Sequence, residues 1–440
     1  MQVDFGAGLT QTPLEFWITI VFGLAVASLA LRRSSPTGLR AFFFCLGHTI
    51  VLTAPLFALL EVTVYGDFPT IDKQGSLLFY LDGVHQRLTF SPIDSLTDPA
   101  AQLIGVHVGH LWMVAALDLF FSPHGAFNGL AILFPALAWW SCALLLREFR
   151  ISWDWALAIA LPFGLGLHVF RDLNWYTIEK AAIFWLPLFM IAIMRAYRQG
   201  GRWPIYSGVC FVLMAFTNWY LALVSALGLA IVQLIMFRDS RLWKTSIVSA
   251  LMALPLVALQ IALMDGAALS EPEVYLEQRA ALDIFSFAEF EWNRLPLWRA
   301  VELVAFCYGL ISIYRYWANP LIRLLSIVAF ILLLFSVGPN IYGELPNPVF
   351  MATWHVVPGF WRVAKPEVFF YGTWLLTLTC CAYGIAKNKA LSTLSKRQRA
   401  ALYCLSFIWW LIAVRGHESF PGFSTPLDVE LGEVWRAHLN

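Results

Sequence analysis

The chain has 440 residues, of which 60% are hydrophobic and 13% charged, and its formal net charge is +1. An ordinary soluble domain has about 45–50% apolar and about 25% charged residues, so this composition excludes that class and predicts an all-α polytopic membrane protein. A balanced charge with a pI near 7.6 gives no electrostatic basis for binding nucleic acid.

A membrane-crossing helix needs about 20 predominantly apolar residues. Thirteen segments follow that pattern: 13–31, 40–63, 101–121, 126–146, 153–170, 181–196, 203–217, 219–237, 245–264, 299–315, 320–337, 368–386 and 400–414. The first segment ends in Arg32-Arg33 rather than at a small-residue cleavage site, and residues 1–12 carry no Lys or Arg. It therefore reads as a spanning helix and not as a cleaved leader. The apolar run 203–237 is too long for one crossing, and Thr217-Asn218 divides it. Many of the 20 Trp lie near predicted helix ends, among them Trp153, Trp155, Trp203, Trp219, Trp243 and Trp317, as in the aromatic belts of a bilayer interface. The seven Cys lie inside apolar segments and read as small core residues; they do not predict a disulfide framework.

Lys and Arg placement orders these segments across the membrane. Basic clusters occur at Arg32, Arg33 and Arg40; at Arg147 and Arg150; at Arg195, Arg198 and Arg202; at Arg238, Arg241 and Lys244; at Arg315 and Arg323; and through 387–399. The interval 265–298 is acidic by contrast. If all thirteen segments crossed, the alternation would fail after 101–121. If 101–121 lies at the interface or re-enters, every basic cluster falls on one side and about twelve helices span. Its Gln102, His107, His110 and Asp118 would be costly on a lipid-facing span, which agrees. The sequence thus predicts one membrane domain over 1–440 in the inner (cytoplasmic) membrane, with both termini outside. The outside loops are 64–125, 171–180, 265–298, 338–367 and a tail from 415.

Polar chemistry concentrates in those loops. Residues 65–100 hold Asp67, Asp72, Asp82, Asp94 and Asp98. Gly66-Asp67 reads first as the turn that ends a helix; the same carboxylate can act as a general base or hold a divalent cation. Asp98-Pro99 suits an N-cap followed by Pro in the first helical turn, while Asp94 is a candidate second site carboxylate. His107 and His110 share a helix face, yet no further ligand accompanies them, so they read as a polar face and no residue is assigned to a metal. Arg171-Asp172-Leu173-Asn174-Trp175-Tyr176 packs charge, amide and aromatic groups into six residues. It fits either a phosphate and sugar contact, through Arg171, Asp172 and Asn174, or an interfacial anchor. Arg362 and Lys365 precede segment 368–386 on the side where cations are otherwise scarce; they read as contacts to a lipid-linked phosphate or as snorkelling anchors.

Several of these stretches resemble the polytopic bacterial glycosyltransferases of the GT-C type that use polyprenyl-phosphate sugars, and in particular a branch found in sugar-polymer and cell-envelope loci. Gly66-Asp67 resembles the Gly-Asp opening of that family's first outside loop. Leu173-Asn174 followed by Trp185-Leu186-Pro187-Leu188, then Asn218-Trp219-Tyr220, resembles its Leu-Asn, Trp-(Leu/Ile)-Pro-Leu and (Ser/Asp)-Trp-Tyr stretches. Asp283-Ile284-Phe285-Ser286 and Val357-Pro358-Gly359-Phe360 with Pro366 and Phe369 continue the same order, so the resemblance covers roughly 60–390. It implies a GT-C-like core with an extra first helix at 13–31 and a tail at 415–440. It also implies that Asp67 is the catalytic carboxylate, beside which Asp94 stays the candidate second carboxylate read from the residues, and that the donor is a polyprenyl-phosphate sugar and the acceptor a glycan or lipid. Two departures stand out. The family's Arg-x-Pro-x-Arg is Ala364-Lys365-Pro366-Glu367-Val368 here, which leaves the phosphate to Arg362 and Lys365, and the His usual before Leu-Asn is Asp172. A divalent cation, Mg2+ or Mn2+, is left open. The rival readings are a transporter or flippase of a lipid-linked substrate and a GT-C-like subunit without activity.

Overall fold

The computed structural model describes residues 3–4, 10–11, 13–32, 37–53, 113, 116–117, 123–166, 169, 181–264, 299–342, 345–356, 368–395, 397–399, 401–402 and 404–405. Over these residues the protein is α-helical. Its main helices are α1 (Pro13–Ser28), α2 (Thr37–Thr53), α3 (Pro123–Arg147), α4 (Trp153–Leu165), α5 (Trp185–Gln199), α6 (Trp203–Thr217) and α7 (Trp219–Ile235). These are followed by α8 (Ser240–Met264), α9 (Arg299–Arg315), α10 (Pro320–Ser336), the short α11 (Pro348–Val356), α12 (Phe369–Lys387) and the single turn α13 (Lys389–Ser392). Among the described residues there are also a 3-10 turn at Leu29–Leu31 and two small antiparallel ladders. One pairs β1 (Val3–Asp4) with β2 (Thr10–Gln11), and the other pairs β3 (Asn340–Tyr342) with β4 (Leu345–Pro346).

Helices α1 to α10 and α12 fall on the apolar segments read from the sequence, while α11 and α13 lie outside them. Within the described residues, two stretches are long and apolar enough to cross a membrane, Gly129–Arg147 and Phe369–Lys387, and six further apolar helices are shorter. A helix of 17 residues reaches only about 26 Å at 1.5 Å per residue, slightly less than a hydrocarbon layer of about 30 Å. Of segment 101–121, only Met113, Ala116 and Leu117 are described, so whether it crosses lies outside the described residues.

Helices α3 and α12 form the centre. Leu130, Phe134, Trp139, Cys142 and Leu146 of α3 are fully buried, as are Phe369, Leu378 and Ala382 of α12. A helix that is apolar on all sides belongs in such a position. Helix α3 packs against α2, α4, α5 and α12, while α12 also packs against α9 and α10. Close approaches rest on small residues. A Cβ on Gly164 of α4 would overlap the Trp139 backbone, and one on Gly47 of α2 would overlap the Ala27 backbone of α1. Interfaces between helices in lipid favour such residues because van der Waals contact replaces the hydrophobic drive. The peripheral helices turn apolar side chains outward: Trp17, Val21 and Phe22 on α1, Leu251 and Leu254 on α8, Leu303 and Val304 on α9.

The connections of α3 to α4, α5 to α6, α7 to α8 and α9 to α10 gather at one end, which is also the basic end. Glu148, after α3, accepts from Arg195 Nε at 2.8 Å and lies 3.6 Å from Arg198 of α5. Arg195 also stands 4.8 Å from the Trp203 ring of α6. Gly200 and Gly201, both at positive φ, make the α5–α6 turn, a conformation that favours glycine. Arg241 of α8 donates to the Tyr197 carbonyl at 3.2 Å. Arg399 meets Asp154 of α4 at 3.3 Å. Trp140 of α3 donates to the Gly38 carbonyl of α2 at 2.9 Å. Two bonds hold the end of α12, one to the cap of α10 and one to α9. Asn319, which caps α10, donates to Tyr383 of α12 at 2.9 Å, and Asn388, which caps α13, donates to Tyr308 of α9 at 3.2 Å.

Candidate functional site

None of the seven candidate side chains, Asp67, Asp94, Arg171, Asp172, Asn174, Arg362 and Lys365, falls within the described residues. The same holds for Gly66, for His107 and His110, and for Asp283 to Ser286. The described helices fix where their intervals begin and end. Helices α3 and α4 are joined at the basic end, as are α5 and α6, α7 and α8, and α9 and α10. The chain therefore leaves α2 at Thr53, enters α3 at Pro123, leaves α4 after Leu165, enters α5 at Trp185 and enters α12 at Phe369, all at the opposite end. Each interval that holds a candidate residue opens from that end.

Two built features mark it. The first is the break between α6 and α7. Asn218 is fully buried with an extended backbone (φ −155°, ψ 106°), and its Oδ1 accepts from the Tyr220 and Leu221 amides at 2.9 and 3.4 Å. An Asn N-cap with one residue of extended chain stops α6 and starts α7 without orphaning the new helix's amides. The Trp219 and Tyr220 rings stack there at 4.4 Å. The second is the junction of α10 and α11. Buried Asn347 donates to the Leu334 and Gly338 carbonyls at 2.6 and 2.9 Å and accepts from the Phe350 amide at 3.3 Å. It thus closes the end of α10 and opens α11. Phe335, Phe350, Trp354 and Phe369 form a connected aromatic group beneath it.

Of the stretches that carry the resemblance, Asn218-Trp219-Tyr220 and Trp185-Leu186-Pro187-Leu188 lie within the described residues, at this end. Sequence reasoning missed Asn347 and α11 because nine residues inside a loop are too few to register as a span. The signal was present in Asn347-Pro348, an N-cap followed by Pro at the first helical position. Trp185 contributes a further feature, since its Nε1–H is buried without a hydrogen-bond partner among the described residues. A buried indole N–H normally has a partner, and Trp185 opens α5 at this end.

No three His, Cys, Asp or Glu among the described residues come close enough together to hold a metal ion. The carboxylates considered for a divalent cation lie outside those residues. In comparison with known proteins, no family model and no curated protein matches this chain.

Proposed function

We propose that the protein is a membrane glycosyltransferase of the GT-C type, with about twelve spanning helices, acting at the outer face of the cytoplasmic membrane. It would move a sugar from a polyprenyl-phosphate donor to a cell-envelope acceptor. One observation carries this reading most: the basic clusters are tied together at one end of the helix assembly, and every interval bearing a candidate residue opens from the other. The positive-inside rule makes the first end cytoplasmic and the second external. The outward apolar faces of α1, α8 and α9 support a lipid surround, because a soluble monomer rarely exposes contiguous apolar surface on that scale.

In this reading Asp67 takes the proton from an acceptor hydroxyl as that oxygen attacks C1 of the sugar. The C1–O bond to phosphate breaks, and polyprenyl phosphate leaves with the electron pair. Arg362 and Lys365 stabilise the charge that develops on the leaving phosphate. Asp94 assists at the acceptor side, and Arg171, Asp172 and Asn174 contact the sugar or phosphate. The Asn218 and Asn347 junctions supply hydrogen-bonded helix ends at that same end of the assembly. A transporter would instead place ionisable residues deep between helices. The buried polar side chains among the described residues are Ser, Thr, Asn and Gln.

The test is transfer activity of the reconstituted protein with and without Asp67→Asn. A loss of about 10²- to 10⁴-fold, the usual contribution of a general base, is expected. Unchanged transfer removes Asp67 from the chemistry.

A further inference from the structure

At the basic end, the turns joining α5 to α6 and α7 to α8 come together through the Arg241 bond to the Tyr197 carbonyl. These turns and the adjoining helix ends carry six cations: Arg195, Arg198, Arg202, Arg238, Arg241 and Lys244. Two carboxylates offset them, and both are engaged. Glu148 holds Arg195 and Arg198. Asp239 caps α8 by accepting from the Arg241 and Leu242 amides at 2.9 and 3.2 Å. Arg202, Arg238 and Lys244 are exposed and make no ion pair among the described residues.

Aromatic and aliphatic side chains border these cations. Trp203 is held by its Nε1–H to Gln199 at 2.9 Å and Trp243 by its Nε1–H to the Phe237 carbonyl at 2.8 Å, so both indoles are fixed. Leu234 is 76% exposed and Phe237 is 64% exposed beside them. The surface thus has a charged portion and an apolar portion bordered by anchored indoles, which the membrane reading would set at headgroup and acyl-chain depth. Guanidinium groups meet phosphate oxygens with paired donors, which a diffuse field of lysines does not do.

We infer that this surface docks an anionic phospholipid of the inner leaflet, with its headgroup phosphate among Arg202, Arg238 and Lys244 and its acyl chains along Leu234 and Phe237. The inference rests on the membrane reading above, in which this end is cytoplasmic, and does not depend on the transferase chemistry. The cytoplasmic leaflet is the anionic one, and juxtamembrane basic clusters bind it.

The test reconstitutes the full chain in nanodiscs of phosphatidylcholine with a minor share of phosphatidylglycerol and counts retained lipids by native mass spectrometry. The wild type is expected to retain phosphatidylglycerol roughly tenfold above its bulk share, with the preference falling as salt is added. Arg202→Gln/Arg238→Gln/Lys244→Gln should bring retention close to the bulk share. Arg315→Gln/Arg323→Gln/Arg397→Gln, which removes as many exposed charges elsewhere at the same end, should leave the preference intact. A wild type that embeds in the disc and retains both lipids in the bulk ratio overturns this inference alone. Equal loss in both variants overturns the assignment to this surface, and a chain that does not embed overturns the membrane reading with it.

Discussion

The same substitution should have opposite signs at two glycines, because the structure gives them different surroundings. At Gly164, the Cβ of an alanine would overlap the backbone of Trp139 in the central helix. Relief requires α4 to move away from α3. Overpacking of this kind costs about 1–3 kcal/mol. The same movement stretches the bond from Trp139 Nε1 to the Leu157 carbonyl, now 2.8 Å, at about 0.5–1.5 kcal/mol more. Gly164 is the penultimate residue of α4, so alanine's higher helix propensity recovers only part of its usual ~0.5–1 kcal/mol. Gly164→Ala should therefore destabilise by roughly 2–3 kcal/mol. Gly228, inside α7, meets only Val328 Cγ1 at 3.9 Å, an ordinary contact. Gly228→Ala should therefore stabilise by about 0.5–1 kcal/mol. The assay is unfolding by SDS titration in mixed micelles, followed by tryptophan fluorescence, with both variants beside wild type. A neutral or stabilising Gly164→Ala would refute the close α3–α4 approach, and a Gly228→Ala as damaging as Gly164→Ala would refute the packing assigned to α7 and α10.

Other outcomes follow from individual contacts. Asn218→Ala removes the acceptor for two amides at the α6–α7 break and should lower stability by about 1–3 kcal/mol, read in the same titration, whereas Asn218→Ser should recover part of the loss; equal stability of all three would refute the cap. Glu148→Gln leaves Arg195 and Arg198 without their carboxylate and should cost about 1 kcal/mol, with the gap from wild type narrowing as salt rises; a salt-independent gap would point to packing instead. Asn319→Ala and Asn388→Ala each remove a cap and a tyrosine contact, and each should cost about 1–2 kcal/mol. Both pairs hold the same end of α12, one to the cap of α10 and one to α9, so a double-variant cycle should show coupling of at least about 0.5 kcal/mol, and strict additivity would argue against a shared clamp.

Helix positions were readable because hydropathy reports what solvates a segment, and here lipid and protein interior look alike to it. That same property hid the arrangement. Helices α1 and α3 are both strongly apolar, yet Trp17 and Phe22 face outward while Phe134 and Trp139 are fully buried. Only packing distinguishes them, through partners such as Gly164 and Trp140 that lie far apart in sequence. The break at Asn218 was legible because a helix cap is local chemistry. Helix α11 was legible in the same way through Asn347-Pro348, but a search for long apolar runs passes over nine residues. The gathering of the basic clusters was anticipated from Lys and Arg spacing, whereas the bonds that tie them, such as Arg399 to Asp154, span 245 positions and carry no sequence signal. For the site, sequence analysis named Asp67, Asp94, Arg171, Asp172, Asn174, Arg362 and Lys365 from residue type and resemblance. The structure adds the end of the helix assembly from which their intervals depart.

The most direct test of the transferase reading is binding of radiolabelled polyprenyl-phosphate sugars to the purified protein, wild type beside Arg362→Ala/Lys365→Ala. Saturable binding of one donor, lost in the double variant while both proteins unfold at the same SDS fraction, is the expected result and would also name the sugar. A folded wild type that binds no donor, or a double variant that binds as well as wild type, would contradict it.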